Sequence, residues 1–258
     1  MSNKTINTEQ GHWLLAKMGK KVLRPGGKEL TLKLIKGLKI SNNDKVIEFA
    51  PGIGYTAMKV LKFNPKSYTG VELNEEAATL LKRKINSDNR KIIVGNASKV
   101  MMEDACADKV YAEAMLTMQA DHRKSEIIKE AYRLLKKGGL YGIHELGLTP
   151  DNLNEDTKAA IQHELATCIR VNARPLTQSE WVHLLEKEGF KIVEINTNPM
   201  LLLETKRIID DEGLFRTLKI GFNILRFPKA RKHILVMKEV FNKYKEQMNA
   251  ISIIAQKV

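Results

Sequence analysis

The sequence predicts a doubly wound α/β fold: a mostly parallel sheet of seven strands, helices on both faces, a helical cap at the N-terminal end and a helical insertion before the last strand. Three observations predict it. Short apolar runs alternate with amphipathic stretches from Lys45 to Glu145, as in repeated strand-helix-strand units. A loop of Pro51-Gly52-Ile53-Gly54 follows the first run, and Glu48, Glu72 and Asn96 stand at or just past the ends of the first three. With 258 residues, 43% hydrophobic and 28% charged, the chain can bury the core of one large domain.

Residues from about Gly11 to Leu38 read as helix, tight turn at Arg24-Pro25-Gly26-Gly27, and helix. Residues 1–40 are therefore expected as the cap and 41–258 as the main domain. Lys45 to Phe49 is the first strand, entered through the turn-like Ser41-Asn42-Asn43-Asp44, and Tyr55 to Phe63 is the helix after the Pro/Gly loop. The pattern repeats with a strand Ser67 to Leu73, a helix Glu75 to Asn86, and strands Lys91 to Val94 and Lys109 to Ala114. Arg123 to Lys136 is amphipathic and is expected to stop at Gly138-Gly139, before a strand Leu140 to Glu145. Asn154 to Arg170 is helical, and Thr177 starts another helix with Glu180 three residues on, the spacing of a capping box. Gly189 ends it. A strand Lys191 to Asn196, a mostly helical insertion at about 200–248, and a last strand Ile251 to Gln256 complete the chain.

The longest apolar runs fall short of the roughly 20 residues that cross a bilayer, and Met1 to Gln10 is polar, without a leader's apolar region. A cytoplasmic protein is expected. Cys106 and Cys168 have neither disulfide-framework nor zinc spacing. A net charge of +13 favours encounters with nucleic acid, anionic lipid or an acidic substrate, although solvated lysine-rich helix faces are the plainer account of it.

A glycine-rich loop after the first strand lets backbone approach a ligand closely, and the next helix directs its partial positive end there. Gly52 and Gly54 suit that role, which NAD, FAD and S-adenosylmethionine share. Glu72, eighteen residues past Gly54, stands where an acid accepts hydrogen bonds from ribose hydroxyls, and the amide of Asn96 is placed to bond an adenine edge. A dinucleotide is disfavoured, because Pro51 interrupts the Gly-x-Gly-x-x-Gly turn and Ala57 stands where its third glycine would be. Taken in order, Glu48 to Gly54, Glu72 and Gly95-Asn96-Ala97 resemble the class I S-adenosylmethionine-dependent methyltransferases over about Lys45 to Leu148, nearest the broad group that modifies quinones and sterols. The resemblance implies a Rossmann-like methyltransferase fold and S-adenosylmethionine as cofactor. It implies a cofactor site built from Glu48, Ala50, Gly52, Gly54, Glu72, Leu73, Asn96, Ala97 and Glu113. Ala50 departs from the family, which often has its first glycine there.

Methyl transfer needs an in-line nucleophile and, for hydroxyl or ammonium acceptors, a place for a proton. Glu113 interrupts an apolar strand and, with His144 and His122, is a candidate catalytic group. The alternatives are a structural carboxylate for Glu113, a helix-start position for His122 and a hydrogen-bonded wall residue for His144. His12, Arg24, Glu145 and Arg174 are candidate substrate contacts, and the basic segment Phe222 to His233 is expected to roof the pocket. No metal is expected, since no His-x-x-x-His or Cys pair fixes a geometry. A small-molecule methyl acceptor, an acidic one included, is the leading expectation; RNA methylation using the basic C-terminal surface comes second, and a non-catalytic cofactor-binding protein third.

Overall fold

A computed structural model describes residues 5–85 and 87–258. Residues 1–4 of the polar N-terminus, and Asn86 at the expected end of its helix, lie outside the described residues. The chain runs α1 (Gly11–Lys17), α2 (Gly27–Leu38), β1 (Lys45–Phe49), α3 (Tyr55–Val60) with a 3-10 turn Leu61–Phe63, β2 (Ser67–Glu72), α4 (Glu75–Lys84), β3 (Arg90–Val94) and β4 (Ala107–Glu113). It continues with α5 (Asp121–Leu134), β5 (Leu135–Leu148), α6 (Glu155–Ile169), β6 (Leu176–Thr177), α7 (Gln178–Lys187) and β7 (Phe190–Pro199). Three helices, α8 (Thr205–Glu212), α9 (Leu214–Arg226) and α10 (Pro228–Lys243), precede the closing strand β8 (Met248–Lys257).

The main sheet has the order β3-β2-β1-β4-β5-β8-β7. β1 to β5 pair in parallel, and β8 is antiparallel to both its neighbours. To these seven strands the two-residue β6 adds a parallel pairing at the end of β5; it is too short to carry an alternation pattern. The order reverses beside β1, so the loops after β1 and β4 flank the crevice where such sheets take ligands. One face carries the core of Ile47, Phe49, Ile128, Leu134 and Trp181 beneath α5 and α7; the other packs Leu34, Leu38, Tyr68 and Leu81 beneath α2 and α4.

Caps explain several boundaries. Asn74 Oδ1 accepts the Ala77 amide at 2.9 Å, Asn154 caps α6 in the same way, and Thr177 with Glu180 forms the expected capping box. α5 differs from expectation: it ends at Leu134, and Leu135 is already extended. Gly138, at φ +78°, lies in a bulge where the β4–β5 register shifts, so Gly138-Gly139 shapes the strand rather than the helix. Of the two N-terminal helices, α2 lies on the sheet: a Cβ on Gly142 would meet Leu34 Cδ1 at 2.8 Å, and one on Gly37 would meet Ile254 Cγ1 at 2.7 Å. This leaves α1 and the segment down to Pro25 over the crevice, where Leu14, Met18, Leu165, Met237 and Phe241 join a third apolar cluster.

Candidate active site

The carboxyl ends of β1 to β4 open into one cavity of about 410 Å3, closed on its far side by α1, α6 and α10. Ala50 and Gly52 line it from the first loop, both at positive φ (+52° and +54°). Ala50 therefore holds the backbone shape a glycine would take, at a cost its Cβ makes unavoidable. A Cβ on Gly52 would meet nothing within 4 Å, so the bare backbone there faces open space. Gly54 does not line the cavity: its Cβ would lie 2.3 Å from Leu81 Cδ1, and its glycine serves the packing of α3 on α4.

Glu72 is held in place by two backbone amides, Gly52 to Oε2 at 2.8 Å and Asn74 to Oε1 at 2.9 Å. Each oxygen keeps a lone pair for the cavity. Burial pushes its carboxyl above the ordinary value, against the pull of those amides. Asn96 Oδ1 accepts from Ser98 N and Oγ, which leaves its amide NH2 as the group it offers; Leu73 and Ala97 stand beside it on the wall.

Glu48 is turned away from the cavity. Its Oε2 accepts the hydroxyls of Tyr68 (2.5 Å) and Tyr111 (2.6 Å), and burial raises its carboxyl to about 7 despite them. Alternation along β1 sends it to the α2 face, where the sequence could not show the two tyrosines waiting.

Glu113 reaches the cavity wall from β4. Its carboxylate accepts the hydroxyls of Thr31 (2.7 Å) and Thr56, meets His144 Nδ1 at 2.7 Å and pairs with Arg24 Nε at 3.4 Å. Burial alone would raise its pKa, but Arg24, His144 and Thr56 together hold it at about 2. The second nitrogen of His144, Nε2, contacts the Pro25 carbonyl at 2.5 Å, and the ring is fully buried. This cluster ties the Arg24-Pro25 turn to the sheet edge.

A methyltransferase-domain family model matches residues 47–143. A sterol 24-C-methyltransferase of Gibberella zeae is 32% identical over 117 residues, 43% of this chain and 30% of that protein. The chain belongs to the class I S-adenosylmethionine-dependent methyltransferases. An uncharacterized protein of Haemophilus influenzae is 35% identical over 253 residues, 96% of this chain and 98% of its own. The fold is also that of Haemonchus contortus phosphoethanolamine N-methyltransferase 2 in complex with S-adenosylmethionine, at a TM-score of 0.73 and 18% identity, over 97% of this chain and 57% of that one.

In this methyltransferase several expected substrate and catalytic residues do other work. Glu145 is fully buried and accepts from the amides of Met115, Leu116 and Thr117 and from the Thr117 hydroxyl, fixing the loop after β4. His144 has both ring nitrogens engaged and does not reach the cavity, so it cannot accept a proton from a substrate there. His122 is exposed on the first turn of α5, whose N-cap is Ala120. Arg174 pairs outside the cavity with Asp121 at 2.6 Å. The basic segment Phe222 to His233 lies on the outer side of the roof and contributes nothing to the cavity wall. His12 and Arg24, in contrast, do line it.

Sequence reasoning missed the apolar arm of the cavity, formed by Leu15, Met118, Leu165, Met200, Met237 and Phe241. In sequence these are helix-face and loop apolar residues, indistinguishable from core. Among the described residues no His, Cys, Asp and Glu group is arranged to hold a metal, and no helix is long and apolar enough to cross a membrane.

Proposed function

We propose that this methyltransferase moves the sulfonium methyl group onto a small, largely apolar acceptor held beneath α1, α6 and α10. The apolar arm of the cavity is the observation that carries this reading: a polar or charged acceptor would lose its hydration there without replacement hydrogen bonds. Of the acceptors named by the relatives, a sterol fits that lining better than phosphoethanolamine. Arg174 and the basic segment Phe222 to His233 lie outside the cavity, whereas Lys21, Arg24 and Arg123 line it.

The cavity residues suit S-adenosylmethionine. Glu72 would take the ribose hydroxyls, Asn96 the adenine edge, and Gly52 would let the backbone come close to the methionine part. Arg24 is 9% exposed, and its Nε and Nη1 have no hydrogen-bond partner among the described residues. Nε already faces Glu113 at 3.4 Å, so Nη1 is the buried donor left to spend, and the methionine carboxylate is the group of matching charge. On that reading Glu113 positions Arg24 instead of touching the reacting atoms.

S-adenosylmethionine would supply the methyl group and leave as S-adenosylhomocysteine, and a proton released by the acceptor would pass to solvent. His12 lines the cavity but is too weak a base to hold that proton. Burial lowers its pKa to about 4, so it is neutral at physiological pH, and it has no hydrogen-bond partner among the described residues, its ring resting on Trp13. The test is incubation of cell extract with purified protein and cofactor labelled in the methyl group. Label extractable into organic solvent is expected; label recovered as nuclease-sensitive RNA overturns the assignment.

A further inference from the structure

The most exposed apolar stripe lies on α9. Phe215 is 89% exposed, Leu218, Phe222 and Leu225 more than 60% each, and Ile220 is the helix's buried residue. A surface helix ordinarily turns such a stripe to the core. α9 turns it outward, tethered by the Asn223 amide to the Met18 carbonyl at 2.9 Å. Leu214 stands beside Phe215, and the exposed Phe227 and Val236 line one groove beyond the end of α9.

From Gly213 to Lys238 the chain has no Asp or Glu, while Arg216, Lys219, Arg226, Lys229, Arg231, Lys232 and Lys238 supply seven positive charges. Arg216 pairs with Glu212 at 3.8 Å; the other six make no ion pair among the described residues. Unpaired cations around large apolar side chains match a surface that is anionic outside and apolar beneath, which is a bilayer. RNA would meet the cations but offer the leucines nothing to be buried in. A second copy would set cation against cation.

We propose that α9 and the start of α10 dock this protein on an anionic lipid bilayer, with Phe215, Leu218, Phe222 and Leu225 entering the acyl boundary. α9, at 13 residues, would lie in the plane of the interface. Through Phe227 and Val236 the docked face continues into a groove of about 780 Å3 lined also by Leu14, Met18 and Cys168, one helix layer outside the cavity. The inference stands on this surface alone and does not depend on the acceptor.

Flotation of the full chain with vesicles of phosphatidylcholine and phosphatidylglycerol in equal parts tests it. Wild type is expected to float with them, more weakly in high salt and not with pure phosphatidylcholine. F215S/F222S should bind roughly tenfold or more weakly, each serine forfeiting the burial of a phenyl ring, with circular dichroism and calorimetric binding of S-adenosylmethionine unchanged. Failure of wild type to float, or flotation of F215S/F222S equal to wild type, overturns the proposal. So does an RNA gel shift without vesicle binding, or concentration-dependent dimerisation that F215S/F222S abolishes.

Discussion

Glu113 is ionised in a place that would ordinarily neutralise a carboxyl, and Glu48, on the same face of the sheet, titrates near neutrality in a similar one. The difference is the partners: Glu113 has a guanidinium, an imidazole and two hydroxyls, whereas Glu48 has two phenols and the repulsion of Glu113 itself. Their linkages have opposite sign. With its pKa depressed to about 2, Glu113 contributes stability above its unfolded value of 4.5, and that stability is lost as pH falls from there through 2. Denaturant melts should accordingly show Glu113→Gln costing about 3 kcal/mol at neutral pH and progressively less below pH about 4. With its pKa raised to about 7, Glu48 contributes stability below 4.5 that is lost as pH rises through 7. Glu48→Gln, which keeps an oxygen for both tyrosines, should be close to neutral at pH about 5 and stabilising by about 2 kcal/mol at pH about 8. Equal midpoint shifts at both pH values would refute the environment assigned to Glu48. At the cofactor end, Glu72→Ala should weaken S-adenosylmethionine binding in calorimetry by roughly tenfold to a hundredfold, the scale of losing hydrogen bonds to a charged group. Comparable binding by the variant would remove Glu72 from the ribose.

Among the elements, α8 has the consequence least expected from its sequence. Glu212 Oε1 accepts the amides of Lys21 and Val22 at 2.7 Å each, and Asp211 Oδ1 accepts that of Lys28 at 2.7 Å. The insertion before the last strand thus clamps the segment leading from α1 to Arg24. Lys20, 1% exposed, sits 4.0 Å from both carboxylates, and burial lowers its pKa against their pull. Glu212→Ala would strand two amides and should cost about 2 kcal/mol or more, with faster hydrogen exchange over residues 20–25; Asp210→Ala, on the exposed side, should cost less than about 0.5 kcal/mol. Equal exchange in the two variants would show that the segment is held by other means. Strand positions, the Pro/Gly loop and the capped starts of α4, α6 and α7 were legible, because each is a local pattern with a local cause. The end of α5, the two-residue β6 and the clamp were not, since they depend on pairing across dozens of residues. The same limit divides the site. A carboxylate at a strand end reads alike whether it lines the cavity, as Glu72 does, or folds back on loop amides, as Glu145 does.

On the scale of the whole molecule, the cavity is assembled from parts of the chain that have no reason to be together without it. Backbone from the ends of four strands supplies one wall, α1 and Arg24 another, and α6 and α10 the apolar arm. The contact of α1 with the roof is close: a Cβ on Gly11 would lie 2.7 Å from Met237 Sδ and 3.3 Å from Ile169. A ligand touching all these walls adds its binding energy to contacts that are otherwise few for α1, and it binds the folded chain only. At a cofactor concentration a hundredfold above Kd that linkage is worth about 2.7 kcal/mol, or a rise in Tm of roughly 5–10 °C for a chain of this size. Hydrogen exchange should slow in the same experiment over residues 11–25 and at the Ala50–Gly54 loop, and stay unchanged on α9, which faces away from the cavity. Protection confined to the loop would mean that α1 and Arg24 take no part in holding the cofactor, and that the buried guanidinium donors answer to the acceptor instead.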